Sequence, residues 1–267
     1  MRPVSLSPMW PPPPQGTWVL DLDGVVWLTG QPIPGVDEAV ARLRGTGVRV
    51  LFATNNSAPT RSQLHKQLAH CGITADDGDV LSSADVAAGM LDPGTSALVL
   101  AEDGVVEALG RRGVTVVPEG PADAVVVGLT RAFTYDAVAG AAAAIRGGAR
   151  LIGTNTDATY PTPDGLVPGA GSILAAVATA AEAMPEVAGK PHRPTAEALT
   201  RMVPAGELRT MVGDRPDTDG ALAAQLGVPF ALVLSGVTRR GDVPDDAGAA
   251  AVAPDLLGLV RQALDSG

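Results

Sequence analysis

The sequence predicts an α/β protein: a doubly wound, Rossmann-like parallel sheet interrupted by an inserted αβ domain. Three observations carry this expectation. From Gly16 onward, short apolar runs rich in Val and Leu alternate with helix-like segments, as in a sheet covered on both faces by crossover helices. A second group of strands and helices fills the middle of the chain and is about the size of a small domain. Polar clusters stand where the apolar runs end, and in open parallel sheets chemistry collects at those carboxyl ends.

The elements follow in order. Residues 1–16, "MRPVSLSPMWPPPPQG", lack the basic start and continuous apolar stretch of a secretory signal, and their run of prolines favours an extended, solvated conformation. A disordered Pro-rich tail is expected there. Strands are then predicted at Thr17–Leu22, Val48–Thr54, Arg209–Gly213, Phe230–Leu234 and Ala249–Ala253, with helices near Val36–Arg44, Arg61–Cys71, Pro194–Met202 and Asp217–Leu226. The middle block reads as strands near Ala97–Ala101, Thr115–Val117, Ala124–Gly128 and Arg150–Thr154, with helices near Asp103–Arg111 and Thr134–Arg146. The simplest organisation is a core domain over residues 17–81 and 181–267, with residues 82–180 inserted as a cap-sized αβ domain.

Composition bounds the function. The chain has 267 residues, 46% hydrophobic and 18% charged, which describes a globular protein with a substantial core. A net charge of −10 argues against a nucleic-acid partner, whose phosphates call for clustered Lys and Arg. Cys71 is the single cysteine, so no internal disulfide can form, and a reducing cytoplasm is the expected compartment. No apolar run approaches the roughly 20 residues that cross a bilayer, so no membrane role is expected.

The polar clusters are Asp21 and Asp23 in "WVLDLDGVV", Thr54-Asn55-Asn56, Gly189-Lys190-Pro191, and "VGDRPDTD" with Asp214 and Asp219. Carboxylates gathered together repel one another unless a cation neutralises them, and hard oxygen ligands suit Mg²⁺. Thr54 and Lys190 add a hydroxyl donor and a positive charge for an anion beside the metal. Metal, lysine and donors together suit a phosphoryl group, whose oxygens gain most from preorganised charge. One of the paired aspartates would attack phosphorus and the other would shuttle protons.

In this order "DLDGVV", "TNNS", "GKP" and "GDRPDTD" resemble the haloacid dehalogenase (HAD) superfamily. "GTNTD…PTPDGLVPGAGS" is similar to the cap segment of its NagD-like, subfamily IIA phosphatases, which carry a large αβ cap. The resemblance covers nearly the whole chain after Gly16. It implies a HAD core with an inserted cap, Asp21 as nucleophile and Asp23 as general acid/base. It implies Thr54 and Lys190 on the transferring phosphoryl group, and Asn55 positioning the Asp21–Asp23 loop or the phosphate. Mg²⁺ would be held by Asp21, the backbone carbonyl of Asp23, and Asp214, with Asp219 orienting the metal shell. Because the family's ATPases usually carry threonine at the position of Asp23, the resemblance implies hydrolysis of a phosphate ester. Two departures from the family pattern are Gly220, in place of a bulky apolar residue, and His192 after "GKP".

The cap segment, with Asn155, Asp157 and Thr159 among stiffening prolines, suits recognition of hydroxyl-bearing ligands. The resemblance implies a small phosphorylated metabolite as substrate: glycerol 3-phosphate or 2-phosphoglycolate first, then sugar phosphates and p-nitrophenyl phosphate. A homodimer is compatible with the family. Two other functions fit the same motifs, a phosphomutase-type transferase and a metabolite-binding regulator without turnover.

Each motif also has a simpler reading. Val25 stands where a calcium loop from Asp21 needs an oxygen ligand, and Arg215 stands at the first acidic place of a calcium loop in "GDRPDTDG", so neither stretch is one. Met184 and Pro191 break a nucleotide P-loop around Lys190. Leu174 stands where the third glycine of a dinucleotide fingerprint would follow Gly169 and Gly171, so that stretch reads as a tight turn opening a helix from Ser172 to Ala181. His65, His70 and His192 form no ligand set, and Cys71 reads as a structural thiol.

Overall fold

The structure is a computed structural model that describes residue 10 and residues 15–162, 165–244 and 247–265. Most of the Pro-rich tail expected over residues 1–16 lies outside the described residues. Trp10 is described, with its ring centroid 5.9 Å from that of Trp18. By compactness the chain divides into two units, one of Met1–Ala53, His65–Val80 and Ala196–Gly267, the other of Thr54–Leu64 and Leu81–Thr195.

The first unit is built on a six-stranded sheet in the order Ala249–Ala253, Phe230–Val233, Leu208–Gly213, Gly16–Leu20, Val48–Thr54, Val80–Ser82. Gly16–Leu20 pairs in parallel with Val48–Thr54 on one side and Leu208–Gly213 on the other, so the chain winds outward from it in both directions. In open α/β sheets, ligands bind beyond the carboxyl ends of the strands at such a reversal of strand order. Trp18, Val19 and Leu20 are buried, as both faces of such a strand must be when helices cover them. Helix Val36–Gly45 shows how its sequence pays into this layer: Val36, Ala39, Val40 and Leu43 are buried at helical spacing, with Asp37 and Glu38 in its first turn and Arg42 and Arg44 in its last.

The second unit has its own five-stranded sheet, Glu186–Val187, Arg150–Gly153, Ala124–Val127, Ser96–Leu100, Thr115–Val117, parallel throughout. Val125, Val127, Leu98, Leu100 and Leu151 pack there against Ile145, Ile173 and Val177 of the helices Tyr135–Arg146 and Ala170–Ala181. Thr134 caps the first of these, its hydroxyl accepting from Ala137 N–H at 3.2 Å. Thr159–Thr162 and Gly165–Pro168 form an antiparallel pair.

Several elements differ from the sequence expectations. The first strand ends at Leu20 because the N–H groups of Val25, Val26 and Trp27 all turn back onto the Leu22 carbonyl, at 3.3, 2.8 and 3.1 Å. The helix expected over Asp217–Leu226 is a π-turn at Pro216–Gly220 followed by Ala221–Leu226, because Asp219 and Gly220 both donate to the Arg215 carbonyl. The helix expected from Ser172 starts at Ala170. Gly169 and Gly171 serve close packing, since a Cβ there would come within 2.3 Å of the Asp157 and Thr156 carbonyl oxygens. Helices Ser83–Gly89 and Leu256–Leu264 and strand Val80–Ser82 were not anticipated.

Candidate active site

Asp21 directly follows the strand Gly16–Leu20 and Asp214 follows its neighbour Leu208–Gly213, so parallel pairing brings the two side by side. Asp21 N–H donates to the Val212 carbonyl at 2.9 Å, which carries the pairing one residue past the strand. The π-turn returns Asp219 toward the same strand end, where its Oδ2 accepts from Arg215 N–H at 3.2 Å. All three aspartates are buried, at 7%, 2% and 0% exposure, and one carboxylate oxygen of each lies within 4.8 Å of the others.

Glycines make room for this group. A Cβ on Gly213 would fall 2.1 Å from Asp219 Oδ2, and one on Gly236 would fall 2.0 Å from Asp214 Oδ2. Gly24 has φ +87°, and a Cβ there would lie 2.4 Å from the same Asp214 oxygen. Val237 N–H also donates to Asp214 Oδ2, and Ser235 Oγ ties down the Gly24 carbonyl at 2.7 Å. Three carboxylates in so small a space repel one another, and a cation among them relieves that repulsion. An all-oxygen set of this kind matches a hard divalent cation such as Mg²⁺, so the residues present fit one. Asp21, Asp214 and Asp219 are the side chains that would hold it.

Asp23 is half-buried, and its carboxylate is not one of the clustered set. Its Oδ1 accepts from the Trp27 indole at 3.1 Å, a partner that sequence reasoning missed because nothing in "DGVVWL" marks the indole as a donor.

In the second unit, Thr54, Asn55, Lys190, Asn155 and Asp157 come together, and Asn55 is their hub. Lys190 N–H donates to Asn55 Oδ1 at 2.7 Å, while Asn55 Nδ2 donates to the Lys190 carbonyl and to Asp157 Oδ2, each at 3.1 Å. The Asn55 carbonyl accepts from Asn155 Nδ2 at 2.8 Å and from Ser83 Oγ at 2.6 Å. Gly189 must be glycine, because a Cβ would lie 2.5 Å from the Thr154 carbonyl and 2.6 Å from Asn55 Oδ1. Thr54 and Lys190 are buried, and Thr54 Oγ1 accepts from Asn56 N–H at 3.0 Å.

Two of the expected site residues have partners within the protein. Asn155 reads from sequence as a substrate contact; within the protein its Nδ2 donates to the Asn55 carbonyl and its Oδ1 accepts from Asp157 N–H at 3.0 Å. Asn55 reads as positioning the Asp21–Asp23 loop or the phosphate, whereas its side chain grips the Lys190 backbone and Asp157. Ser83, a further member of this hub, carried no sequence signal. Asp217 is exposed and paired with Arg215 at 2.9 Å, whose hydrogen bond holds its carboxyl below the ordinary carboxylate value. Gly220 sits against Phe230, whose ring fills the place a larger side chain would take, a Cβ there lying 3.1 Å from it.

Fold and acidic group together define a doubly wound α/β protein with a carboxylate-built cation centre at its topological switch point. Comparison with known proteins narrows the class. A family model described as haloacid dehalogenase-like hydrolase matches residues 18–115, and a second HAD-like hydrolase model matches residues 187–259. The chain is 39% identical to a D-glycerol 3-phosphate phosphatase of Mycobacterium tuberculosis, over 84% of this chain and 64% of that protein's length. It is 35% identical to the 5′-nucleotidase YutF of Bacillus subtilis, over 86% of this chain and 91% of that protein. The crystal structure of a glycerol phosphate phosphatase from M. tuberculosis in complex with magnesium superposes with a TM-score of 0.81 at 35% identity, covering 91% of this chain and 76% of that one. The chain belongs to the haloacid dehalogenase-like hydrolases, in their NagD-like branch.

Proposed function

We propose that this protein is a Mg²⁺-dependent phosphatase hydrolysing small phosphomonoester metabolites through an aspartyl-phosphate, in the cytoplasm. The observation that carries the reading is the buried trio Asp21, Asp214 and Asp219, within 4.8 Å at the carboxyl ends of the central strands. The phosphatase and nucleotidase activities named for the relatives support it. No helix among the described residues is long and apolar enough to cross a membrane.

In this reading an Asp21 carboxylate oxygen attacks phosphorus. The ester P–O bond breaks, its electron pair passes to the leaving oxygen, and that oxygen takes the proton of the Asp23 carboxyl. Water then attacks the aspartyl-phosphate while Asp23 accepts its proton, and the Asp21 O–P bond breaks with its pair returning to the carboxylate. Thr54 and Lys190 bind the phosphoryl oxygens, and the Asn55, Asn155 and Asp157 network sets the Lys190 backbone. When bound by Asp21, the Asp23 carbonyl, Asp214 and Asp219, Mg²⁺ supplies the positive charge that lets an anionic ester approach a carboxylate. Residues 82–180 serve as the cap that selects the leaving group. Glycerol 3-phosphate and 2-phosphoglycolate are the first candidate substrates, followed by sugar phosphates.

The test is a panel of phosphorylated metabolites assayed for inorganic phosphate with Mg²⁺, on the parent and on Asp21→Asn. Turnover of at least one small ester and its loss in the variant are expected. Equal turnover by the variant, or an isomerised ester in place of free phosphate, would overturn the reading.

A further inference from the structure

Trp27 lies on the two-residue strand Trp27–Leu28, which pairs antiparallel with Gln31–Pro32, and it is 5% exposed. Its backbone is fixed on both sides: its N–H donates to the Leu22 carbonyl at 3.1 Å and its carbonyl accepts from Gly24 N–H at 2.7 Å. The indole that reaches Asp23 Oδ1 at 3.1 Å therefore projects from a closed turn, and its ring is held by burial. The terminal torsion of an aspartate is broad, so its two oxygens exchange readily unless one of them is held. Here Oδ1 is held by a rigid donor.

We propose that Trp27 is a positioning residue for proton transfer by Asp23: its indole N–H fixes the orientation in which the Asp23 carboxyl meets the leaving oxygen. The inference rests on the reading of Asp23 as general acid/base given above. It has a chemical signature. An alkyl ester expels an alkoxide, which must receive the Asp23 proton as the P–O bond breaks. A nitrophenyl ester expels a stabilised phenolate, which leaves as the anion. An oriented Asp23 therefore matters to the first ester and little to the second, and kcat/KM isolates this step because it runs only to the first irreversible transfer.

Trp27→Phe keeps the buried ring and removes the N–H. With Mg²⁺ present, kcat/KM on glycerol 3-phosphate is expected to fall by about tenfold or more, part of the ~100- to 10,000-fold typical of a positioned acid. On p-nitrophenyl phosphate the same variant should change by less than about threefold. An equal fall on both esters is the mark of a merely structural role and overturns the proposal, as does no fall on either. Asp23→Ala separates the two possible failures. If it too lowers both esters alike, the acid/base reading is wrong; if it discriminates and Trp27→Phe does not, only the positioning role is wrong. Should Trp27→Phe fail to fold, the indole N–H resonance of ¹⁵N-labelled protein decides: Asp23→Ala should move the Trp27 signal upfield, and an unmoved signal overturns the proposal.

Discussion

Asn55 and Lys190 are joined in both directions, the Lys190 N–H donating to Asn55 Oδ1 at 2.7 Å and Asn55 Nδ2 donating to the Lys190 carbonyl at 3.1 Å. A side-chain amide here imitates a β-bridge to a residue 135 positions away in the chain. The position of the lysine backbone is thus set by a residue on the strand-end loop after Thr54, and the same amide reaches Asp157 as well.

Asn55→Asp keeps the shape but replaces a donor with an acceptor facing the Lys190 carbonyl and the Asp157 carboxylate. An acceptor against two acceptors in a half-buried place costs more than the bonds it loses, on the order of 2–4 kcal/mol. Chemical denaturation should show that loss, and KM for a phosphate ester should rise with it if Lys190 binds phosphate. Asn55→Asp with unchanged stability would mean the clasp is incidental.

Gly213→Ala tests the cradle. Position 213 has an ordinary backbone, so alanine brings no strain of its own, yet its Cβ would lie 2.1 Å from Asp219 Oδ2 and 2.3 Å from Asp219 Cβ. Asp219 is fully buried and must be displaced. We expect Mg²⁺ affinity, measured by titration calorimetry, to fall by about tenfold or more, the range seen when groups supporting a metal site are disturbed. Unchanged affinity would place Asp219 outside the cation centre.

Much of this was legible in the sequence. The strands Val48–Thr54, Thr115–Val117 and Ala249–Ala253 follow from compact apolar runs bounded by turn residues, and the structure has them at those limits. Asp21 and Asp214 could be placed at strand ends because a carboxylate after a buried strand has nowhere else to go. What escaped is non-local. The Asn55 hub joins residues 28 to 135 positions apart, and such bonds leave no period in the chain. The π-turn escaped because Pro216 and the following acids read equally well as an ordinary helix start, and only the burial of Asp219 against Gly213 separates the two.

The crowded carboxylates also predict how stability responds to metal. Without a cation, three buried aspartates repel one another, so Asp219→Asn should raise the thermal midpoint measured in EDTA. With Mg²⁺ the order should reverse. A ligand at about 100 times its dissociation constant adds about 2.7 kcal/mol to the parent, and the variant, which binds less tightly, gains less. Differential scanning calorimetry with and without Mg²⁺ checks both halves. A midpoint that ignores Mg²⁺ in the parent would exclude a cation at this group.

His192 supplies a pH test independent of the metal. Desolvation by burial holds its imidazole below the ordinary histidine value, so folding disfavours its protonated form. Below about pH 6.5 the unfolded chain takes up a proton at this position more readily than the folded chain does. Stability is therefore lost as pH falls from that value toward the depressed folded one, and is unaffected by His192 above it. His192→Gln cannot take up that proton. Its unfolding free energy relative to the parent should rise on acidification from pH 7 to pH 5, by denaturant titration at each pH. A difference between parent and variant that stays constant over that window would show that His192 titrates alike in both states.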